Sequence, residues 1–390
     1  MTDNMTTKKI CAITTIHNTM EWFVTPIMRY LAVSGFEISM LCDMPEAFVS
    51  ENSDFATCYS LPMNRGVVGF TEGIRTVWKM YKIFSREKFD IIQYTSPNAS
   101  FYACIAAFIG RVPVRLYNQC GLRYIGATGK KRKVLKIIEQ LTCRLSTHVR
   151  AQSPINLEFA IDERLCKREK ISVVGIGGTV GIDLDEFNLV YKDTFRKEVR
   201  SRYHITDDNF VFGYAGRINK DKGLNELIQA FKDICDTESK SVLMLVGMVD
   251  TGNPVEPELL QWAEQSSRVV FTGNVRPSDV YQYLTAFDML VHPTYREGFG
   301  KVLQEAMGAQ LPIITTDVPG PSEVVEAGIS GILVPVRDAA ALKKQMLELS
   351  NDPAKMTELA IAGRARAEKY FDRKIMLQNI LDDINKILAE

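Results

Sequence analysis

The sequence predicts an α/β protein made of two doubly wound, Rossmann-like domains that face each other across a cleft. Short apolar runs alternate with stretches of helical periodicity along the 390 residues, and this alternation occurs twice. The runs are continuously apolar, as expected of parallel strands that are buried on both faces. With 46% hydrophobic and 24% charged residues, the chain is long enough to form two separate cores.

Thirteen apolar or β-branched runs are the candidate strands. In the first half they span residues 9–14, 37–43, 57–61, 90–95, 114–118, 148–151 and 171–174. In the second half they span residues 210–214, 241–246, 269–272, 289–292, 312–315 and 331–335. The helical periodicity of residues 66–85 and 224–236 is typical of the connections between parallel strands.

The domain boundaries follow from this pattern. Residues 1–185 are predicted to form the N-terminal domain, which ends in the Gly-rich stretch 177–185. Residues 186–371 form the C-terminal domain, and residues 372–390 form an amphipathic helix that packs back on the first domain. Open parallel sheets bind ligands beyond the carboxyl ends of their strands, so two facing domains place a ligand in the cleft between them.

Composition restricts the classes of protein and partner. Residues 1–180 contain 23 Lys and Arg against 15 Asp and Glu, a net charge of +8, and the remainder carries −8. The basic half indicates an anionic partner such as a lipid phosphate or a membrane surface, with ordinary solvated charge as the alternative. Eight dispersed cysteines without a Cys-x-x-Cys pair fit a reducing cytoplasm and predict no metal site. No run of about 20 apolar residues predicts a membrane-spanning helix, and no nucleic-acid partner is expected.

The segment from Gly213 to Gly223 (GYAGRINKDKG) follows a predicted strand and precedes a predicted helix. Gly216 allows the backbone to turn without a Cβ clash. Arg217 and Lys222 then lie near the carboxyl end of the strand, where fixed cations can stabilise a diphosphate. The alternative is a loop in which both side chains are simply solvated.

A second segment, Glu297 to Glu305 (EGFGKVLQE), follows another predicted strand through a loop. Its glycines permit close approach of the backbone, and the first N–H groups of the following helix can bind phosphate. The predicted contacts are made by Gly298, Phe299, Gly300 and Lys301. Glu305 lies about one and a half turns into that helix, where it can accept hydrogen bonds from the hydroxyls of a ribose. The alternative is that acidic residues simply favour a helix N-terminus.

Together the two segments resemble the retaining glycosyltransferases of family four, which have the two-domain GT-B fold. The resemblance implies that Arg217 and Lys222 bind the diphosphate of a nucleotide-sugar. It also implies that Glu297 and Glu305 form the family's Glu-x7-Glu motif, with the first on the donor sugar and the second on the ribose. The C-terminal domain is then the donor domain, and the N-terminal domain binds the acceptor.

The resemblance extends to two further loops of the C-terminal half. The stretch that begins at Thr272 (TGNVRPSDVYQYL) resembles the family's base-binding turn, so Val275 and Arg276 are expected to frame a uracil or a purine. The loop DVPGPSEVV resembles the segment after the next strand, where Gly320 and Pro321 would border the cleft. The N-terminal half resembles the family more loosely.

The acceptor half departs from the family pattern. Relatives often carry a His-Gly pair in a loop after an N-terminal strand, whereas this chain has Cys120-Gly121 there. The polar contacts with the substrate are then assigned to Asn118, Gln119 or Arg123. Cys120 is either a small buried side chain that fills space in the core or, as the less favoured alternative, a reactive thiol. His17, after the first predicted strand, is a further acceptor-side candidate or a structural histidine. A second departure is Val180-Gly181, where relatives tend to have Asn-Gly.

A basic cluster opens a predicted amphipathic helix in the first half. Lys130, Lys131, Arg132 and Lys133 lie beside the apolar residues Val134, Leu135, Ile137 and Ile138. Such a helix can rest on the anionic inner face of a membrane or bind a lipid diphosphate, or it can be the exposed end of an ordinary core helix. The expected location is the cytoplasm, with the inner face of the cell membrane as a peripheral site.

The predicted function is transfer of a hexose or N-acetylhexosamine from a nucleotide-sugar, with UDP as the expected nucleotide, to a saccharide or polyprenyl-diphosphate-linked acceptor in polysaccharide or lipopolysaccharide synthesis. Retention of anomeric configuration is expected from the resemblance. Independence from metals and cofactors is expected from the resemblance and from the cations that would replace a metal. The alternatives are a nucleotide-sugar epimerase on the same fold and a non-catalytic nucleotide-sugar-binding subunit. A phosphorylase lacks a recognisable pyridoxal lysine motif here, and a dehydrogenase lacks a clear G-x-G-x-x-G fingerprint.

Overall fold

The computed structural model describes residues 7–63, 70–122 and 124–390, and the chain divides into two compact units. The first unit comprises Met1–Val180 together with Met376–Glu390, and the second comprises Gly181–Ile375. The division at Val180 lies five residues before the predicted boundary at residue 185. The chain therefore passes from the first unit to the second and returns to the first at its end.

The first unit contains a seven-stranded parallel sheet in the order β3-β2-β1-β4-β5-β6-β7. The strands are β1 Lys9–Ile16, β2 Glu37–Asp43, β3 Ala56–Ser60, β4 Ile91–Tyr94, β5 Val114–Gln119, β6 His148–Ala151 and β7 Ile171–Ser172. The helices are α1 His17–Thr19, α2 Thr25–Val33, α3 Glu46–Asn52, α4 Phe70–Glu87, α5 Pro97–Ile109, α6 Gly129–Leu145 and α7 Pro154–Asp162, with a π-helical turn at Met20–Val24.

The second unit contains a six-stranded parallel sheet in the order β10-β9-β8-β11-β12-β13. Its strands are β8 Phe210–Ala215, β9 Ser241–Val246, β10 Val269–Gly273, β11 Met289–His292, β12 Ile313–Thr316 and β13 Ile332–Val334. Its helices are α8 Lys192–Arg202, α9 Leu224–Cys235, α10 Pro257–Gln265, α11 Val280–Thr285, α12 Lys301–Gly308, α13 Pro321–Val324, α14 Ala339–Ser350 and α15 Pro353–Tyr370. The last helix of the chain is α16 Arg373–Ala389.

The two doubly wound, Rossmann-like domains predicted from the sequence are confirmed, and each of the thirteen predicted strands is present. The sheets are covered on both faces, which explains the continuous apolar runs. In β1, for example, Cys11 and Ile13 pack into one buried cluster while Ile10 and Ala12 pack into another on the opposite face. All six residues of β9 are buried.

The closing helix α16 belongs to the core of the first unit. Ile380, Ile384 and Ile387 are 5%, 0% and 6% exposed and pack with Ile10 of β1 and Ile38 of β2. Their spacing of four and three residues places them on one face of the helix. This apolar face is the reason why residues 376–390 return to the first sheet.

Candidate active site

The loops that carry the predicted donor residues leave one edge of the second sheet. The strands are parallel, so the loops after β8, β9, β10, β11 and β12 lie together at the carboxyl ends. Strands β8 and β11 are neighbours in the sheet although β9 and β10 separate them in the sequence. The strand order reverses at this position, and open parallel sheets bind ligands at such a reversal.

The loops after β8 and β11 are hydrogen-bonded to each other and closely packed. The backbone N–H of Tyr295 donates to the carbonyl of Asp221 over 2.9 Å, and the Arg296 Nε donates to the Asp221 carboxylate over 3.1 Å. Gly223 has φ +72°, and a Cβ there would overlap the carbonyl of Pro293. A glycine is required at this position because the two backbones approach so closely.

Lys222 and Glu297, predicted from separate segments, form an ion pair at this edge. The Glu297 side chain is 24% exposed and that of Lys222 is 17% exposed, so the pair is partly shielded from water. Burial opposes ionisation of Glu297, but contacts with His292 and Lys222 outweigh it and lower the pKa of the Glu297 carboxyl to about 2. Glu297 is therefore a carboxylate at any physiological pH.

His292 is a site residue that the sequence reasoning missed. It is the last residue of β11, it is 1% exposed, and its ring stacks on Tyr214 with a centroid distance of 5.4 Å and an interplanar angle of 10°. Its Nε2 lies 3.6 Å from the Glu297 Oε2. Burial lowers the pKa of His292 below its usual value, with the Lys222 charge acting in the same direction and Glu297 opposing both. The available signal was a histidine placed directly before the loop that carries Glu297.

Arg217 lies in the same loop as Lys222 but has a different partner. Its side chain is 70% exposed, and its Nη1 is 2.9 Å from the Asp250 Oδ2. Asn219 donates to the same carboxylate oxygen over 3.0 Å, and the hydrogen bond from Asn219 is the main reason why the pKa of Asp250 lies below its usual value. The Tyr214 hydroxyl donates to the Arg217 carbonyl over 2.7 Å and fixes the backbone there. Asp250, in the loop after β9, was not predicted.

Gly216, which begins this loop, has φ +144°. Its N–H donates to the carbonyl of Val246 over 2.9 Å. Gly216 also lies so close to Gly247, in the neighbouring loop, that a Cβ on Gly247 would overlap the Gly216 carbonyl. The glycine predicted to form the turn is therefore packed against the loop after β9, which carries Asp250.

Glu305 lies in helix α12, as predicted. It is 8% exposed, and its Oε1 is 3.1 Å from the Nζ of Lys301, one helical turn earlier. Gly300 precedes the helix with φ +75°, and Gly298 is half-buried ahead of it. The ring of Phe299 is 5% exposed and packs edge-on against Phe371 with a centroid distance of 6.0 Å. Phe299 thus anchors the loop in the core, and its side chain is turned away from solvent.

The predicted base-binding turn lies after β10, at the same edge of the sheet. Val275 is half-buried, and Arg276 is exposed with its Nε 2.9 Å from the Asp279 carboxylate. The turn is connected to the loop after β9 because the Gly247 N–H donates to the Gly273 carbonyl over 3.1 Å. The structure thus places Val275 and Arg276 two strands away from β8 in the sheet order.

Gly320 and Pro321 lie after β12, on the other side of the Glu297 loop. Gly320 has φ +91°, and a Cβ there would lie 2.9 Å from the Glu297 carbonyl oxygen and 3.0 Å from that of Gly298. The Gly320 N–H donates to the Glu323 carboxylate over 3.1 Å. This loop therefore packs directly against the backbone that carries Glu297.

The acceptor-side candidates lie at carboxyl ends of strands in the first unit. His17 follows β1, is half-buried and has its ring 6.3 Å from that of Phe48. Asn118 is half-buried near the end of β5. Gln119 points into the core instead, because it is 3% exposed and its amide donates to Glu139 over 2.8 Å. This orientation does not support a contact between Gln119 and an acceptor.

Cys120 is an exposed residue directly after β5. The protein atoms packed around its thiol nevertheless raise the pKa of that thiol above its usual value. A raised pKa disfavours the thiolate, so the reactive-thiol alternative gains no support. Arg123, the remaining acceptor-side candidate, lies outside the described residues.

Within residues 7–63, 70–122 and 124–390, no group of three or more His, Cys, Asp or Glu side chains is arranged to hold a metal ion. The sequence contains one Asp-x-Asp pattern, at Asp183 and Asp185. Both carboxylates are paired with cations of the second unit: Asp183 with Arg373 over 3.0 Å, and Asp185 with Lys374 over 2.7 Å. In the same described part of the chain, no helix is both long enough and apolar enough to span a bilayer.

Two glycosyltransferase families match the chain in consecutive segments. The glycosyl transferase 4-like domain family matches residues 18–177, and the glycosyl transferases group 1 family matches residues 195–366. These segments coincide closely with the two units and include all the site candidates described above except His17.

Similar proteins match over most of the chain. The capsular polysaccharide biosynthesis glycosyltransferase CapM of Staphylococcus aureus is 31% identical over 370 residues, which cover 94% of this chain and 95% of CapM. An Escherichia coli UDP-Gal:alpha-D-GlcNAc-diphosphoundecaprenol alpha-1,3-galactosyltransferase is 22% identical, with 81% of each chain covered. The crystal structure of Anabaena HepE in complex with UDP and glucose has a TM-score of 0.76 at 19% identity, with 97% of this chain and 99% of HepE covered.

Proposed function

Because this chain belongs to glycosyltransferase family four, we propose that it transfers a hexose or N-acetylhexosamine from a UDP-sugar, with retention of anomeric configuration, to a lipid-diphosphate-linked saccharide in polysaccharide synthesis. The observation that carries this proposal is the Lys222–Glu297 pair where the strand order reverses. The choice of UDP is supported by the UDP and glucose bound to HepE. The choice of a lipid-diphosphate-linked acceptor is supported by the name of the Escherichia coli relative, which specifies an acceptor of this kind.

The ion pairs of the unliganded site indicate how a diphosphate would bind. Lys222 and Arg217 are each held by one carboxylate, Glu297 and Asp250 respectively. A diphosphate carries more negative charge than either carboxylate and competes for both cations. If the Lys222 ammonium pairs with the diphosphate instead, the Glu297 carboxylate becomes available to accept hydrogen bonds from hydroxyls of the donor sugar.

Glu305 is proposed to bind the ribose. It is ready for this role because helix α12 fixes its backbone and the Lys301 ammonium lies at one of its carboxylate oxygens. Glu305 is 8% exposed, so hydrogen bonds to ribose hydroxyls would form in a partly desolvated site where they are strong. Val275 and Arg276 are proposed to frame the base from the turn after β10.

The proposed chemistry is a front-face displacement. The bond between the anomeric carbon and the diphosphate oxygen breaks, the acceptor oxygen bonds to the same face of that carbon, and the departing diphosphate takes the proton of the acceptor hydroxyl. Arg217 and Lys222 would stabilise the charge that develops on the leaving group. Glu297 would orient the sugar, so positioning and electrostatics supply most of the rate enhancement. With two cations in this role, no metal ion is needed.

The test is product formation from radiolabelled UDP-sugars and extracted lipid-linked acceptor. We expect labelled acceptor with unchanged anomeric configuration, formed at the same rate in EDTA. Conversion of donor without acceptor would indicate an epimerase, and tight UDP binding without turnover would indicate a non-catalytic subunit. An inverted product or a rate abolished by EDTA would contradict the retaining or the metal-independent part of the proposal.

A peripheral contact with an anionic membrane is proposed through helices α4 and α6 of the first unit. In α6, Lys130, Lys131 and Lys133 are exposed, as is Ile137 at 61%. In α4, Trp78 is 55% exposed and lies 5.6 Å from the Lys82 ammonium. Both helices pack against α5, so their apolar and basic side chains border the same side of the sheet. Exposed apolar residues among lysines are typical of surfaces that rest on anionic lipid.

We expect the Lys130→Ala/Lys131→Ala variant to bind vesicles of 30% phosphatidylglycerol about 10- to 30-fold more weakly than the wild type, since each lysine near an anionic surface contributes about 1 kcal/mol. Lys240→Ala/Lys344→Ala, in exposed positions of the second unit, is the matched control and should bind normally. The emission of Trp78 should shift to the blue on binding, and Trp78→Phe should lose that shift. Equal binding of all variants, or no preference for anionic over neutral vesicles, would contradict the membrane contact.

A further inference from the structure

A buried imidazole without a hydrogen-bond partner lies beside the Lys222–Glu297 pair. In the described part of the chain, neither ring nitrogen of His292 has such a partner. The Nε2 lies 3.6 Å from the Glu297 Oε2, slightly too far for a hydrogen bond. Buried polar groups are normally satisfied, so an unsatisfied pair of nitrogens in an active site suggests a state in which they become satisfied.

The charges around His292 explain its present state. Lys222 faces it from the loop after β8, Glu297 from the loop after β11, and Tyr214 from β8 itself. Burial raises the pKa of the Tyr214 phenol well above its usual value, so this ring stays neutral. Burial, assisted by the Lys222 ammonium, lowers the pKa of His292, so the imidazole is also neutral near pH 7. Lys222 is then the cation that neutralises Glu297.

Donor binding changes this balance if the proposed function is correct, and the inference rests on that function. A diphosphate attracts Lys222 away from Glu297, which leaves a partly buried carboxylate without a cation. An unpaired buried charge is unfavourable. His292 is the nearest group that can supply a compensating charge, and the departure of Lys222 also removes the repulsion that opposes its protonation.

We propose that His292 is a positioning residue for Glu297: it takes up one proton from solvent as Lys222 moves to the diphosphate, and its Nε2–H then donates to the Glu297 carboxylate. The proton returns to solvent when the nucleoside diphosphate leaves and Lys222 pairs with Glu297 again. Glu297 thereby stays ionised and fixed in orientation while it binds the sugar hydroxyls. The stacked Tyr214 ring holds the imidazole in place in both states.

The test is a pH titration of the imidazole signals by NMR with histidines labelled in the ring. The chain has four histidines, so His292 is assigned by elimination from the spectra of His17→Asn, His148→Asn and His204→Asn, and no substitution at the buried site is needed. In the ligand-free protein, we expect His292 to titrate below the usual range of a histidine, because burial and the Lys222 ammonium lower its pKa. Saturating UDP should raise its titration midpoint by about one pH unit or more and leave those of His148 and His204 unchanged.

Lys222→Met supplies the matched comparison, because methionine retains most of the length of the lysine side chain without its charge. Its ligand-free His292 should already titrate at the raised midpoint, and UDP should add little. A His292 midpoint that neither UDP binding nor Lys222→Met raises would overturn the inference. If UDP leaves every signal of the wild type unchanged, the UDP-donor proposal fails, and the ligand-free comparison of Lys222→Met with the wild type still decides whether His292 is coupled to Lys222.

Discussion

Alanine at Lys222 or at Arg217 is expected to reduce turnover by about 10²–10³-fold, the usual cost of losing one preorganised group that stabilises charge in a transition state. Each residue would stabilise the departing diphosphate, and neither belongs to a buried core cluster, so the loss should appear mainly in kcat. The measurement is steady-state transfer from a UDP-sugar to the lipid-linked acceptor, with thermal unfolding as the check on folding.

The same short turn supplies the control. Lys220 belongs to the turn Lys220–Lys222, but its ammonium is 3.9 Å from Glu256 and not paired with Glu297, so Lys220→Ala should keep near-normal turnover. Glu305→Ala should instead weaken UDP binding, measured by calorimetry, because its proposed partner is the ribose. Near-normal turnover in both Lys222→Ala and Arg217→Ala would refute the assignment of the diphosphate site. Unchanged UDP affinity in Glu305→Ala would refute the proposed contact between Glu305 and the ribose.

Gly223→Ala is expected to destabilise the second unit by several kcal/mol and to abolish donor binding. The added methyl group would overlap the Pro293 carbonyl, a backbone atom that cannot rotate away, and the left-handed backbone adds about 1 kcal/mol of strain. The loops after β8 and β11 would be forced apart, which would separate Lys222 from Glu297. The measurements are chemical unfolding and UDP calorimetry.

The Gly273→Ala variant tests the effect of left-handed backbone strain without the steric overlap that is expected in Gly223→Ala. Gly273 has φ +70°, close to that of Gly223, but no atom lies within 4 Å of a Cβ placed there. We therefore expect a loss of only about 1 kcal/mol in the free energy of unfolding. Equal stability of the two variants would show that the close approach of the two loops is not what requires glycine at position 223.

The fold was accessible from sequence because parallel strands leave a strong local pattern. A run such as Ser241–Val246 is apolar at nearly every position, and its six residues are all buried. The candidate donor-site residues could be located because they follow such runs within a few positions. The ends of helices and strands were predicted less accurately. The predicted strand 171–174 is the two-residue β7 Ile171–Ser172, and the predicted helix 66–85 starts at Phe70 among the described residues.

The partners of the site residues could not be predicted. His292 and Tyr214 lie on strands that are adjacent in space but 78 residues apart in sequence, so the position of His292 before the Glu297 loop did not indicate which side chains contact it. The pairing of Arg217 with Asp250 depends on the order of β8 and β9 in the sheet. Gln119 was predicted at the acceptor site from its position, but the alternation of side chains along β5 turns it towards Glu139.

The return of the last fifteen residues to the first sheet limits how this enzyme can be divided. A recombinant fragment that stops at Val180 would lack Ile380, Ile384 and Ile387, and the apolar surface that they cover on β1 and β2 would face water. The first unit can be produced alone only if residues 376–390 are joined to it, for example through a short engineered linker. A late frameshift or C-terminal deletion would therefore impair the half of the protein that was synthesised first.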